Sequence, residues 1–167
     1  ELSSGFFFSR TRYCEYTGKY FCDSCHTDDR LMIPSRMLLK WDIKAFSVSL
    51  FAKRQLDTIR EKPLFNILEI NRRLYKEVPE MSLICLLRQQ LKNMHDYIAT
   101  CRRAASSKKL QAILQKKTHL FTSVHVYSYQ DLQDSPPNVL FPYLQVFYQY
   151  FYHHILGCEI CSQRGSV

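Results

Sequence analysis

Apolar residues recur every three or four positions between 80 and 104, where Ile84, Leu87, Leu91, Met94, Ile98 and Cys101 form one stripe. At about 3.6 residues per turn this spacing predicts a helix of roughly six or seven turns with a single buried face. Pro79 stands near its start, where a missing N–H costs little. Leu110, Ile113 and Leu114 repeat the pattern over 107–116. Leu140, Leu144, Phe147, Phe151 and Ile155 repeat it once more, with Gly157 placed as the C′ residue that would end the last helix. Shorter helices are predicted over 35–41, capped by Ser35, and from Ser47 or Ser49 to about Glu61, stopped before Pro63. In the second of these Phe51, Leu56 and Ile59 would face inward. Asn71 can cap a third short helix carrying Leu74 and Val78. Ser128-x-x-Asp131 is a weak capping-box variant before a helical turn broken by Pro136-Pro137.

Two segments read differently. Tyr13, Tyr16, Tyr20 and Phe21 flank Thr17-Gly18, which signals a short β-hairpin over 12–21. Residues 118–127 (THLFTSVHVY) read as extended. The fold class is therefore mainly α with minor β: a helical domain with a small N-terminal hairpin module. No internal repeat is present.

Composition changes this picture little. Hydrophobic residues make up 46% and charged residues 23% of the 167, enough for a sizeable core in one ordinary domain. The net charge of +8 suggests an acidic partner: lipid head groups, an acidic protein face or nucleic acid. ELSSGFFFSR has no charged n-region and does not read as a secretory signal. The longest apolar stretch, 138–156, is interrupted by Pro142, Gln145, Gln149, His153 and His154 and does not read as a membrane span. A chain that starts without Met and stops soon after a CxxC reads as an excised or truncated piece.

The cysteines carry the chemistry. Seven are present, two pairs of them spaced as CxxC, which reads as a reduced, intracellular, metal-binding set rather than a disulfide framework. Zinc takes four N or S ligands in a tetrahedron. Cys14, Cys22, Cys25, His26, Cys158 and Cys161 are six candidate ligands, enough for one complete site and half of another. Cys25 and His26 are neighbours whose side chains diverge, so the two are expected to serve different ions. One ion would take Cys22 and Cys25 and need a further pair. The other would take Cys14, His26, Cys158 and Cys161, and an exchange between the sets stays open. With every position filled by Cys or His, the zinc would be structural. Residues 1–33 then form a zinc-ribbon-like hairpin, 34–156 a helical body and 157–167 the start of a truncated C-terminal zinc module, together a single domain over 1–167. Cys101 extends the helix stripe and Cys85 stands beside it, and both read as small core residues rather than ligands.

Other candidates are weaker. His95, His119, His125, His153 and His154 have no carboxylate or nucleophile at a recognisable spacing, and His153 or His154 could replace a ligand near Cys158. No Gly-rich phosphate loop, paired-carboxylate motif or nucleophile elbow occurs, so the chain does not read as an enzyme. Residues 97–130 contain no Asp or Glu but carry Arg102, Arg103, Lys108, Lys109, Lys116 and Lys117. These form either a solvated face or a patch for anionic phosphoinositide lipid or an acidic partner. They are not interleaved with stacking aromatics, which disfavours nucleic acid. The last helix carries aromatics on more than one face, some of which must meet a second surface or a partner. A ubiquitin-ligase RING needs eight ligands, and this chain does not show eight.

"YCEYTGKYFCDSCH", then "IPSRMLLKWD" at 33–42, then "GCEIC" after a helical middle, resemble the Rubicon-homology domain family. "PLFNILEIN" at 63–71, "TCRRA" at 100–104 and "YSYQDL" at 127–132 extend the resemblance over nearly the whole chain. It implies a zinc-stabilised, mostly helical, non-enzymatic adaptor. Its implied partner is a late-endosomal Rab GTPase (the seventh Rab) in its GTP form. Its implied setting is cytoplasmic and peripheral on late-endosome, lysosome or autophagosome membranes, in autophagosome and endosome maturation or lysosome positioning. By position Cys14, Cys22, Cys25, His26, Cys158 and Cys161 match the family's metal ligands. The family usually carries a CxxC upstream of the first block and further Cys/His pairs after the last; here those places hold ELSSGFFF and SQRGSV.

Overall fold

The computed structural model describes residues 10–136 and 139–164, with the side chains of Lys116 and of 158–164 outside the described residues. Pro137 of the Pro-Pro break and the N-terminal ELSSGFFF also lie outside them. The chain divides into two compact units, Glu1–Arg60 and Glu61–Val167.

The first unit begins with the hairpin that the tyrosine pattern predicts. β1 (Thr11–Cys14) pairs antiparallel with β2 (Lys19–Cys22), Tyr13 opposite Tyr20 and Cys14 opposite Lys19. Gly18, at φ 68°, closes the turn by donating its N–H to the Cys14 carbonyl at 2.9 Å. A β-carbon is disfavoured at that φ, which is why glycine sits there. A second antiparallel pair joins β3 (Asp29–Met32) to β4 (Ala45–Val48), with α1 (Pro34–Lys40) between them. α1 starts on Pro34 at its first turn, so Ser35 lies inside the helix rather than capping it. Trp41, in the left-handed region at φ 52°, ends it.

α2 (Leu50–Ile59) is capped by Ser49, whose Oγ accepts from the Ala52 N–H at 3.3 Å. Starting the helix at Leu50 puts Ala52 and Leu56, four residues apart, on the buried face and leaves Phe51 57% exposed, contrary to the inward position expected for it. A small core gathers Cys14, Val48 and Ala52, with Phe21 and Leu31 packed on it.

The second unit is built on two long helices packed against each other, α5 (Pro79–Ala99) and α10 (Leu140–Arg164). Met81, Ile84, Leu87, Leu91 and Ile98 of α5 and Leu140, Leu144 and Phe151 of α10 are buried. α5 stops before Cys101, which caps the next helix with extended backbone instead of continuing the stripe. Before α5 come β5 (Pro63–Asn66), α3 (Ile67–Asn71) and α4 (Leu74–Glu77). Asn71 accepts the Arg73 N–H ahead of α4, and Val78 follows that helix as a buried C-cap.

After α5 come α6 (Arg102–Ser106), α7 (Lys108–Lys116), α8 (His119–Thr122), β6 (Val126–Ser128) and α9 (Tyr129–Asp134). The stretch 118–127 is only partly extended. The Thr122 and Ser123 amides fold back on the carbonyls of Thr118 and His119, burying Leu120 and Phe121 as a helical turn. β6 then pairs antiparallel with β5. The Ser128–Asp131 capping box forms as the sequence predicts.

α10 differs from expectation at its end. Gly157 does not stop it; the helix runs to Arg164. Among the described glycines only Gly18 has positive φ, so Gly157 is not the left-handed residue of a C′ cap. The fold is mainly α with minor β.

Candidate functional site

The hairpin unit holds four of the six proposed metal ligands. Strand alternation turns Cys14 into the core, fully buried. Its Sγ accepts the Ser49 N–H at 3.2 Å. Burial would raise this thiol, but hydrogen bonds from Ser49 and Thr17 outweigh it and bring the pKa down to about 7. Cys22 and Cys25 bracket a tight turn closed by Cys25 N–H to Cys22 O at 3.0 Å. The Cys22 Sγ lies 3.0 Å from Ser24 Oγ, and hydrogen bonds from Ser24 and from Cys25 hold its thiol pKa down.

His26 is fully buried. The Asp28 N–H donates to its Nδ1 at 3.2 Å, so the neutral ring carries its proton on Nε2, which has no partner among the described residues. The left-handed Asp28 makes that return possible, and its carboxylate is held by the Ser47 hydroxyl. The N-terminus of α2 gathers both segments: Ser49 N–H goes to Cys14 and Leu50 N–H to the Cys25 carbonyl.

These donors suit zinc in type: three thiols, two of them with lowered pKa, and a buried imidazole that would offer Nε2 to a metal once the ring proton moves to Nδ1 and the Asp28 bond is given up. In number they do not complete a site. Among the described residues no three of His, Cys, Asp or Glu converge into a group that could hold a metal. The side chains of Cys158 and Cys161, the remaining proposed ligands, lie outside the described residues; their backbone is helical within α10.

The second unit contains a polar cluster that the sequence did not announce. Arg88 of α5 is fully buried. Its Nη2 donates to the carbonyls of His119 at 2.9 Å, Ser123 at 2.8 Å and Val126 at 2.8 Å, and its guanidinium lies 4.2 Å over the Tyr127 ring. Asp131, also fully buried, accepts from His119 Nε2 at 2.7 Å and from the Ser128 N–H at 2.9 Å. Burial would raise the Asp131 carboxyl, but these bonds hold it below its ordinary value. His119 thus has a carboxylate partner twelve residues away, at no spacing a motif would flag.

Nearby, Cys85 Sγ lies 3.9 Å and Tyr75 Oη 3.2 Å from His125 Nδ1. Burial pushes the Cys85 thiol and the Tyr75 hydroxyl up. Burial and the Arg88 charge push the His125 imidazole down. A thiol so raised is the opposite of an activated nucleophile.

The basic residues do not act alike. Arg102, Arg103, Lys108 and Lys109 are exposed on α6 and α7. Lys117 is drawn inward, its Nζ 3.7 Å from Glu61 and 3.9 Å from Asp131. The Lys116 side chain lies outside the described residues.

The aromatics of α10 divide between core and surface. Phe151 is buried, Phe147 packs edge-on against Phe121 at 5.2 Å, and Tyr148 stacks on Tyr152 at 6.3 Å on the outside. Tyr148 and Phe141 join Leu83 and Leu86 of α5 in a shallow groove of about 300 Å³. Leu83 is 52% and Leu86 62% exposed on its rim. No helix among the described residues is long and apolar enough to cross a membrane.

The Rubicon Homology Domain profile matches residues 12–167. A human protein named "Protein associated with UVRAG as autophagy enhancer" is 38% identical over 161 residues, 96% of this chain and 24% of that protein. The human "Pleckstrin homology domain-containing family M member 3" is 34% identical over 166 residues, 99% of this chain and 21% of that protein. The mouse "Run domain Beclin-1-interacting and cysteine-rich domain-containing protein" is 37% identical over 161 residues, 96% of this chain and 17% of that protein. The chain therefore spans a quarter or less of the length of these relatives.

Proposed function

The chain belongs to the Rubicon homology domain family, and from that premise we propose that it is a non-enzymatic, zinc-stabilised adaptor domain that docks on a late-endosomal Rab GTPase in its GTP form. Its setting would be autophagosome and endosome maturation or lysosome positioning, peripheral to the membrane. Two relatives carry autophagy or Beclin-1 in their names, which supports the autophagy setting.

The observation that carries the docking reading is the apolar groove across α5 and α10. Leu83 and Leu86 stand exposed on one helix and Phe141 and Tyr148 line the other, a pairing of aliphatic and aromatic side chains suited to the centre of an interface. Glutamines Gln90, Gln145 and Gln149 supply a polar margin without net charge. Calorimetry against the GTPase loaded with a GTP analogue or with GDP tests the reading. Binding only to the GTP form, weakened at least about tenfold by Leu86→Asp, is expected; equal affinity for both forms would sink it.

Zinc in this reading is a cross-link that holds loop geometry. Cys14, Cys22, Cys25 and His26 would be donors in the hairpin unit, with Cys158 and Cys161 as further candidate donors. A second reading, contact with anionic phosphoinositide lipid, is favoured by the exposure of Arg102, Lys108 and Lys109. Charge reversal at Lys108 and Lys109 separates the two: it abolishes vesicle binding under the lipid reading and spares GTPase binding under ours.

A further inference from the structure

The second unit has another concavity, of about 400 Å³, between α7, α8 and α10. We propose that it binds one single-chain lipid with an anionic head: a free fatty carboxylate, its chain in the cavity and its head on Lys109.

One wall is aromatic and preformed. Tyr143 packs edge-on to Phe147 at 4.8 Å, and Phe147 in turn to Phe121 at 5.2 Å, so the rings are held by each other before any ligand arrives. Ala112 and Ile113 of α7 form the opposite wall. The volume falls in the range of small-molecule sites, about 300–1,000 Å³. It equals roughly a dozen units of 30 Å³, a water's share of liquid volume. A methylene is of similar size, so the volume accommodates one acyl segment of about that length.

Charge selects the head group. Among the described residues the two charged groups lining the cavity are lysines, and no acidic residue lines it. The two lysines are not equivalent. Lys117 is engaged by Glu61 and Asp131, so its charge is largely matched. Lys109 is exposed, its Nζ 5.6 Å from the Tyr150 ring centre, with no carboxylate within ion-pair distance among the described residues. One unmatched ammonium at the mouth of an apolar cavity complements one negative charge on an apolar chain. The carboxylates around Lys117 direct that charge away from the other end. A cationic amphiphile would meet two ammonium groups.

Calorimetric titration of the chain with dodecanoate, kept below micelle formation, tests this. Saturation at one per chain is expected, with dodecanol several-fold weaker and dodecyltrimethylammonium not binding. Ala112→Trp, at an exposed position on the cavity wall, should plug it and weaken dodecanoate at least tenfold. Lys109→Glu should weaken it several-fold. Should Ala112→Trp fail to fold, the wild-type chain decides by NMR: dodecanoate must shift the Ala112 and Ile113 methyl signals, and shifts centred on Leu83 and Leu86 overturn the assignment. Equal binding of all three amphiphiles also overturns it, as does unchanged affinity in a folded Ala112→Trp variant. Phosphatidylcholine–phosphatidylserine vesicles distinguish the source. Vesicle binding that needs Ala112, with no binding of dodecanoate, would replace the free carboxylate with a chain drawn from a bilayer and refute the proposal.

Discussion

The Arg88 guanidinium sits where helical spacing would place an apolar side chain, one residue after Leu87 on the buried face of α5. Its charge is met by three carbonyls and a ring face, and its Nε and Nη1 have no partner among the described residues. Arg88→Met would match the volume but remove three bonds from a charged donor, leaving the His119 and Ser123 carbonyls only the backbone N–H groups of Ser123 and Val126. Losing bonds to a charged group, at about 1.5–3 kcal/mol each, implies a loss of roughly 3 kcal/mol, read by urea unfolding. Arg88→Lys should not restore it, because an ammonium cannot lie flat on the Tyr127 ring while reaching the carbonyls. Two neighbours add a pH dependence. The folded state prefers His125 neutral, through burial beside Tyr75, Cys85 and the Arg88 charge. Its folded pKa therefore lies below the ordinary value of about 6.5, and the stability it contributes is present above that value and lost as pH falls toward the depressed one. Asp131 prefers to be ionised, so its contribution is present above about 3.9 and lost as pH falls through its own lower value. Unfolding followed from pH 7.5 to 3 should show both windows, and His125→Asn should flatten the upper one while leaving the lower.

Among the elements, those marked by strong local rules were legible and those held by partners were not. The α5 stripe, the Thr17-Gly18 hairpin and the Ser128 cap follow from spacing or turn chemistry within a few residues. β3 and β4 are four residues each and owe their strand geometry to each other across α1, so neither shows a self-sufficient alternation. The candidate metal donors stand out by spacing, but whether and which of them meet is a tertiary fact that spacing does not carry. Gly157 shows the ambiguity most directly, since a glycine near a helix end reads equally as a C′ stop or an interior residue. Its helical placement has a consequence. A Cβ there would meet only the Arg103 Nη1 at 3.9 Å, an ordinary contact. Gly157→Ala should therefore stabilise the second unit by about 0.5–1 kcal/mol, from helix propensity. A left-handed C′ glycine would give the opposite sign, so thermal melting of this one variant distinguishes the two backbones.

At the scale of the whole molecule the two units are unequal in what holds them. The second buries two long helices along a continuous apolar seam with an aromatic cluster at Phe121, Phe147 and Phe151. The first has two short hairpin-like pairs and two helices, with Cys14, Val48 and Ala52 clustered and Met37 and Leu56 as its largest fully buried apolar side chains. Units of about 60 residues bury proportionately little surface, and small ones commonly depend on a metal or disulfide. A metal bound only in the folded state adds its binding free energy to folding. The zinc reading therefore predicts an asymmetric response to metal removal. The purified chain should contain zinc by elemental analysis. Chelation should lower the unfolding temperature of the first unit, read by Trp41 fluorescence. The helical signal of the second unit, which dominates the far-ultraviolet circular dichroism, should melt close to its original temperature. Cys22→Ser should reproduce the effect of the chelator without it, and added zinc should rescue the wild type but not the variant. A zinc-free chain whose Trp41 transition is unmoved by chelator would remove zinc as the support of the hairpin unit. The burden would then fall on Arg36 with Glu15 at 2.7 Å, Lys53 with Asp29 at 2.7 Å and the Ser49 cap, solvent-screened contacts worth about a kilocalorie per mole or less for each ion pair and about one for the cap.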